Sequence, residues 1–403
     1  MTTHAPTGID LADSTTFVEH DLTAFWRGLR DEKPVYWNAE SEQRPGFWVL
    51  SRHRDVVGVY RDAENFSSAH GNVLDTLLNG GDSASGKMLA ISDGSGHREL
   101  RRTLLRSFAP RALQVVEANM RAATDKVVAE AVRQGTCDFA ADVAAHIPLA
   151  TICDMLGVPD AQRAEVQRTA KSALAAEEPG QDAMRSWLAK NEILMYFAKL
   201  AKTRAGDPGT DVVSMLATCE VNGRPLSEDE IILNCYGLVL GGEETTRLTM
   251  IGAVAAFLAH PDQWRRLRTG EVELATAVDE ILRWTTVTRH VGRRATADVR
   301  LHDTLIRAGD IVTLWHASAN FDEREFTDPM SFDLSRKPNN HVVFGHGPHF
   351  CIGAYLGRAE ISALLSALCA HVQDFEATAP PENLYSTVFS GYASLPVRLV
   401  PAA

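Results

Sequence analysis

Residues 344–353 read Phe-Gly-His-Gly-Pro-His-Phe-Cys-Ile-Gly, and no other ten positions restrict the folding of this chain as much. Gly345 and Gly347 permit turns that a Cβ would block, Pro348 fixes one backbone angle, and Gly353 lets backbone approach closely. The product is a compact loop holding one cysteine, Cys351. A helix-spaced apolar run follows: Ile352, Tyr355, Leu356, Ala359, Ile361, Leu364, Leu365 and Leu368. A cysteine at the mouth of a helix meets unpaired N–H groups and the positive end of the dipole, and both favour the thiolate. Such a thiolate is a nucleophile or a metal ligand. Nothing nearby resembles the base of a cysteine hydrolase, which favours the ligand.

A second constraint lies upstream. Ser227-Glu228-Asp229-Glu230 forms a capping box, and the helix it opens runs to about Ala259, where His260-Pro261 stops it. At 1.5 Å per residue this is roughly 48 Å, enough to cross a domain. Its middle reads Gly241-Gly242-Glu243-Glu244-Thr245-Thr246. Two glycines in a helix interior cost about 1 kcal/mol each. Their presence predicts something large against the backbone there, with room for a small molecule beside it.

The 344–353 segment resembles the haem-binding loop of the cytochrome P450 family, Phe-Gly-x-Gly-x-His/Arg-x-Cys-x-Gly. Every fixed position agrees, with His349 in the His/Arg slot. The family's central helix carries Ala/Gly-Gly-x-Asp/Glu-Thr, matched by Gly241, Gly242, Glu244 and Thr245. The resemblance covers the chain from about residue 20. It implies a mainly α fold with a minor β region, a single large domain over residues 1–403 whose long central helix crosses over the haem, and a loosely ordered segment at 1–20. It further implies haem b seated against Gly241, Gly242, Phe344 and Gly353, with Cys351 as axial thiolate, a ligand that favours O–O cleavage. Thr245 would then hydrogen-bond at the oxygen site and Glu244 would feed it protons; Glu243, at a variable position, is unassigned.

Haem carries two propionates, on which cationic donors should converge. His97 and Arg101, spaced i, i+4 at a helix start, match the family's His-x-x-x-Arg pair. By the same resemblance Arg293 and His349 supply a third and fourth donor, with Arg294 adjoining Arg293. Glu280-Ile281-Leu282-Arg283 matches the Glu-x-x-Arg ion pair that organises the cysteine loop. Its third member usually comes from Pro-x-Arg/His-Phe, but Pro329-Met330-Ser331-Phe332 places Ser331 where a cation belongs; Arg336 is a candidate to reach in instead, and the replacement stays open at this point. Pocket walls, by family position, are the 72–91 loop, Val239, Leu240, Val287 to His290 (including Arg289) and Phe389-Ser390.

Composition bounds the partners. With 45% hydrophobic residues the 403-residue chain can bury a sizeable core, and its formal charge of −12 argues against nucleic acid and anionic membrane. The six cysteines show no Cys-x-x-Cys pair, which fits free thiols rather than a zinc site or a disulfide framework. The N-terminal stretch is polar, and the longest apolar run, 250–259, falls short of the ~20 residues a bilayer needs. A soluble, cytoplasmic protein is expected. Helical periodicity dominates from about 97 to 285. A small hairpin is predicted at 34–37 and 46–50, a helix at 52–62, strands at 298–301 and 310–314 around a turn at 307–309, and inter-helix loops at 178–180 and 206–209.

The resulting expectation is a haem-thiolate monooxygenase that hydroxylates or epoxidises a small natural-product substrate derived from a polyketide, peptide or amino acid. Oxidative coupling of aromatic groups and a haem-binding sensor are the alternatives. Glu244 and Thr245 speak against a sensor, which needs no proton source. No phosphate-binding Gly-x-Gly-x-x-Gly follows a strand, so electrons are expected from a separate ferredoxin and its NAD(P)H-dependent reductase. His97, Arg98, Arg101, Arg102 and Arg106 form a basic cluster where such a carrier could dock. A carrier protein bearing the substrate is a further candidate partner.

Overall fold

Ser227 closes the capping box as the sequence predicts. Its Oγ accepts from the Glu230 N–H at 3.3 Å while Glu230 Oε2 accepts from the Ser227 N–H at 2.7 Å. In the computed structural model, which describes residues 9–41, 44–174 and 183–402, the helix so begun is continuous over Glu228–Ala259. In its second half Leu248, Met250, Ile251, Ala253, Val254 and Phe257 are all buried, so protein encloses it on every side. One core cluster packs this half against the helices Pro110–Gln134 and Ala354–His371; a second packs the first half against Ile147–Met155 and Ala183–Gly206. The helix Leu274–Thr285 crosses so close that a Cβ on Gly252 would lie 2.6 Å from the Thr285 methyl.

The minor β region is a five-stranded sheet in the order Val35–Asn38, Phe47–Leu50, Ile311–Trp315, His290–Ala295, Phe66–Ser67. Only the Phe47–Leu50 and Ile311–Trp315 pair is parallel. The predicted hairpin and the helix His53–Arg61 are present. The strands expected on either side of 307–309 are present as well: Val299–Leu301 pairs with Thr304–Ile306, while Ile311–Trp315 pairs with His290–Ala295, which places Val312 opposite Arg293. Short strands at 136–138 and 220–225 also interrupt the helical span.

The expectation of loose order over 1–20 is corrected from Ile9 on. Leu11 is fully buried, its N–H donates to Asn38 Oδ1 at 3.2 Å, and Phe17 stacks on Trp315 with ring centroids 5.9 Å apart. The predicted loop at 178–180 lies outside the described residues. No helix among the described residues is long and apolar enough to cross a membrane.

Candidate active site

The cysteine loop is folded by its glycines. Gly345 and Gly347 both have φ of +66°, and a Cβ on Gly347 would collide with the Tyr60 carbonyl oxygen at 2.5 Å. The Cys351 N–H donates to the Phe344 carbonyl at 2.8 Å, so the chain returns on itself and presents the thiol to a cavity at the start of Ala354–His371. Desolvation by the surrounding protein pushes the Cys351 thiol up, although its side chain is open to the cavity, against the pull of the Gly353 N–H and of the Arg101 and Arg358 charges.

Cys351 shares this cavity, of about 250 Å³, with His97, Arg101, Phe344, Gly353, Gly241, Gly242 and Thr245. The glycine pair divides its work. Nothing lies within 4 Å of where a Gly241 Cβ would be, leaving that turn open, whereas a Gly242 Cβ would meet Ile152 Cδ1 at 2.9 Å. One glycine opens a flat face and the other seats the helix on its neighbour. Thr245 Oγ1 donates to the Gly241 carbonyl at 3.0 Å, at the wall. Glu244 is not a lining residue; it is ion-paired with Arg247, with Oε2 3.0 Å from Nε. Glu243 is buried.

The cationic groups gather at one end. Arg293 is buried, donates to the neighbouring Gly292 carbonyl at 2.7 Å, and lies 5.3 Å from the Tyr60 ring centroid, with no carboxylate paired to it among the described residues. His97 Nε2 is buried without a hydrogen-bond partner, and burial with the nearby His349 and Arg101 charges pushes its pKa down to about 4. His349 stacks on His97 at 4.3 Å but spends Nε2 on Asp93 at 2.9 Å. Burial opposes charge on Asp93, yet hydrogen bonds from His349 and Ser67 hold its carboxyl well below the usual range. Arg101 reaches the Phe350 carbonyl. Arg293 lines a smaller adjoining cavity with Cys351 and His349; Arg294 lines neither cavity.

Unpaired buried donors around an open apolar slot are what a flat macrocycle with anionic edge groups requires. The residues present therefore fit a haem.

The ion pair behind the loop is complete. Glu280 and Arg283 are fully buried, with Arg283 Nε to Glu280 Oε2 at 2.8 Å and Nη2 to Oε1 at 2.9 Å. The cation that Ser331 cannot supply comes from Arg336, whose Nε lies 3.1 Å from Glu280 Oε2. Asn339 Nδ2 adds a donor at 3.1 Å.

Of the expected pocket walls, the 72–91 loop lines the cavity through Met88, Leu89 and Ala90, and Thr288 lines the adjoining one. Gly237 and Leu238 line the cavity, while Val239 and Val287 are buried in the core and Leu240 packs against it. Arg289 donates to the Phe389 carbonyl at 2.9 Å and lies 4.4 Å from the Phe17 ring centroid; burial pushes it down to about 10. His290 stacks on Trp315 at 4.4 Å, and burial pushes it down to about 3. Phe389 packs against the core.

One lining residue escapes the sequence reading altogether. Glu360 is buried, and burial raises its pKa to about 8, against hydrogen bonds to Thr151 and Thr246. Its signal was an acid four residues after Leu356, on the buried stripe. Tyr60 and His316, in contact at 2.5 Å beside Arg293, were equally unforeseen.

A family model described as Cytochrome P450 matches residues 201–391. Cytochrome P450 NovI of Streptomyces niveus is 45% identical over 391 residues, 97% of this chain and 96% of that protein. The chain belongs to the cytochrome P450 family. A steroid C26-monooxygenase of Mycobacterium tuberculosis is 34% identical over 409 residues, covering 99% of each chain. The crystal structure of P450 OxyD, involved in the biosynthesis of vancomycin-type antibiotics, superposes with a TM-score of 0.91 at 33% identity, covering 98% of this chain and 100% of that one. PksS, the P450 of the bacillaene polyketide synthase of Bacillus subtilis 168, gives 0.83 at 25% identity, over 93% of this chain and 96% of its own. This P450 is accordingly a monooxygenase, with the mainly α fold that the cysteine loop implied, and the family's haem-thiolate chemistry accounts for the cysteine.

Proposed function

We propose that this P450 binds haem b through the Cys351 thiolate and inserts one oxygen atom of dioxygen into a small natural-product substrate, with electrons from a separate ferredoxin system. The observation that carries the reading is the buried Arg293, which has no ion-paired carboxylate among the described residues and lines, with Cys351, the smaller cavity that adjoins the main one. Arg293, His97 and Arg101 would hold the propionates, and Gly241 would face the ring. When bound, the haem supplies the activation of dioxygen.

The chain supplies position and protons. Thr245 gives its hydroxyl hydrogen to the Gly241 carbonyl, which leaves the Oγ1 lone pairs available to order a proton donor at the cavity wall. Glu360, raised by burial to about 8, keeps its proton near neutral pH beneath Thr246 and is a reserve for that relay. Glu244, tied to Arg247, acts from outside the cavity and anchors the helix turn that carries Thr245. The involvement of OxyD in the biosynthesis of vancomycin-type antibiotics and of PksS in the bacillaene polyketide synthase supports the natural-product class, with a carrier protein as a candidate means of substrate delivery.

Two variants test the reading. Cys351→Ser should abolish the red-shifted Soret band of the reduced, carbon monoxide-bound protein; an unchanged spectrum would refute the thiolate assignment. Thr245→Ala should keep that band and continue to consume NAD(P)H, while product per reducing equivalent falls by about tenfold or more. Unchanged coupling removes Thr245 from its role. Product mass separates added oxygen from lost hydrogens.

A further inference from the structure

The cavity's outer wall is a short stretch of loop that the long helix holds from behind. Asn234 is buried on that helix, and its amide is spent on the wall: Oδ1 accepts from the Leu89 N–H at 2.8 Å, and Nδ2 donates to the Lys87 carbonyl at 3.0 Å and to the Glu230 carbonyl at 2.6 Å. Asn234 thus grips the backbone on both sides of Met88. Three residues further along the helix a side chain is missing. A Cβ on Gly237 would lie 2.9 Å from Met88 Sδ and 3.2 Å from its Cγ, so the thioether occupies the notch that the glycine leaves. Met88, Leu89, Gly237 and Leu238 all line the cavity. Outside, Lys87 Nζ and Asp229 Oδ2 meet at 2.6 Å, both exposed.

We propose that Asn234 and Gly237 form a clamp that fixes how far Met88 stands in the cavity, and so set the size of substrate it admits. This rests on the cavity being the haem and substrate site proposed above. The physical ground is asymmetry. Without the Asn234 amide, the Leu89 N–H and Lys87 carbonyl lose their partners in a half-buried place, and they recover them by lifting the segment toward water. Methionine is unbranched and adapts to whatever space is offered, so the notch at Gly237 decides how far it withdraws from the cavity. Asn234 and Gly237 are positioning residues; neither need touch the reacting atoms.

The test uses haem-loaded protein with two iron-binding probes read by their optical shift, imidazole as the small one and 4-phenylimidazole as the large one. Gly237→Ala should drive Met88 inward and weaken 4-phenylimidazole by about tenfold while imidazole changes less than about twofold, and the double variant with Met88→Ala should restore the large probe. Asn234→Ala should speed amide exchange across residues 87–91 by about tenfold or more. Asn234→Asp keeps the acceptor for Leu89 but loses both donors, and should fall between the two. The carbon monoxide spectrum should stay that of the parent throughout. Parallel changes in both probes, no change in either, or parent-like exchange in Asn234→Ala would overturn the clamp. A parent protein without the thiolate spectrum would instead overturn the cofactor reading, and amide exchange would still decide the clamp.

Discussion

A carboxyl group inside an apolar helix face must give up either its charge or its burial. Glu360 keeps its burial, and its pKa rises to about 8 from an ordinary 4.5. Between those values the folded protein holds a proton that the unfolded chain has released. The stabilisation from that proton is therefore complete below pH 4.5 and drains away as pH rises toward 8. At about 1.4 kcal/mol per unit, the loss across the window is on the order of a few kcal/mol. Glu360→Gln, which cannot ionise, should flatten the pH dependence of urea unfolding between pH 5 and 8; a slope equal to the parent's would assign the titration to another group. The sequence hid this residue because an acid in a helix ordinarily reads as solvated. It revealed Cys351 because glycines, proline and cysteine at fixed spacing leave few other foldings. The wall on the long helix was harder to place than the 72–91 loop: successive helix positions differ by about 100°, and Gly237 and Leu238 line the cavity while Val239 packs in the core and Leu240 against it.

Among elements, those whose ends or interiors carry chemical punctuation were legible and those without it were not. Ser227 and Glu230 opened the long helix, His260-Pro261 closed it, and the cost of Gly241-Gly242 foretold its open face. The strand His290–Ala295 lacks any such mark, because Gly292, Arg293 and Arg294 break the apolar alternation; it exists through pairing with Ile311–Trp315, which local reading does not reach. The ion pair behind the cysteine loop links these elements and yields a graded prediction. Arg283→Met strands a fully buried carboxylate and should cost about 3–5 kcal/mol, with loss of haem uptake. Arg336→Met leaves Glu280 with Arg283 and Asn339, and should cost roughly 1–3 kcal/mol with the spectrum retained. Unfolding curves read with the Soret band separate the two. Equal losses would mean that Arg336 neutralises the carboxylate as much as Arg283 does.

At the scale of the whole molecule the charge is uneven. The chain carries a formal −12, yet the helix Gly94–Ser107, which gives His97 and Arg101 to the cavity, exposes Arg98, Arg102 and Arg106 on its outer side. Arg101 on that helix binds the Phe350 carbonyl, and Phe350 directly precedes Cys351, so the exposed arginines stand next to the thiolate loop. Leu105 and Phe350, 43% and 40% exposed, supply apolar surface among them. A positive patch on a body of net negative charge orients an acidic electron carrier, since the patch attracts it while the net charge repels it. Screening over the ~10 Å Debye length at 0.1 M salt should weaken that steering. With an acidic ferredoxin as donor, the reduction rate is therefore expected to fall as salt rises from low ionic strength. Arg102→Glu, exposed and outside the cavity lining, should slow it by about tenfold at low salt and flatten the salt dependence. Reduction by dithionite, which needs no docking, should be the same in parent and variant. A variant reduced by ferredoxin at the parent's rate would place the electron entry on another face of the molecule.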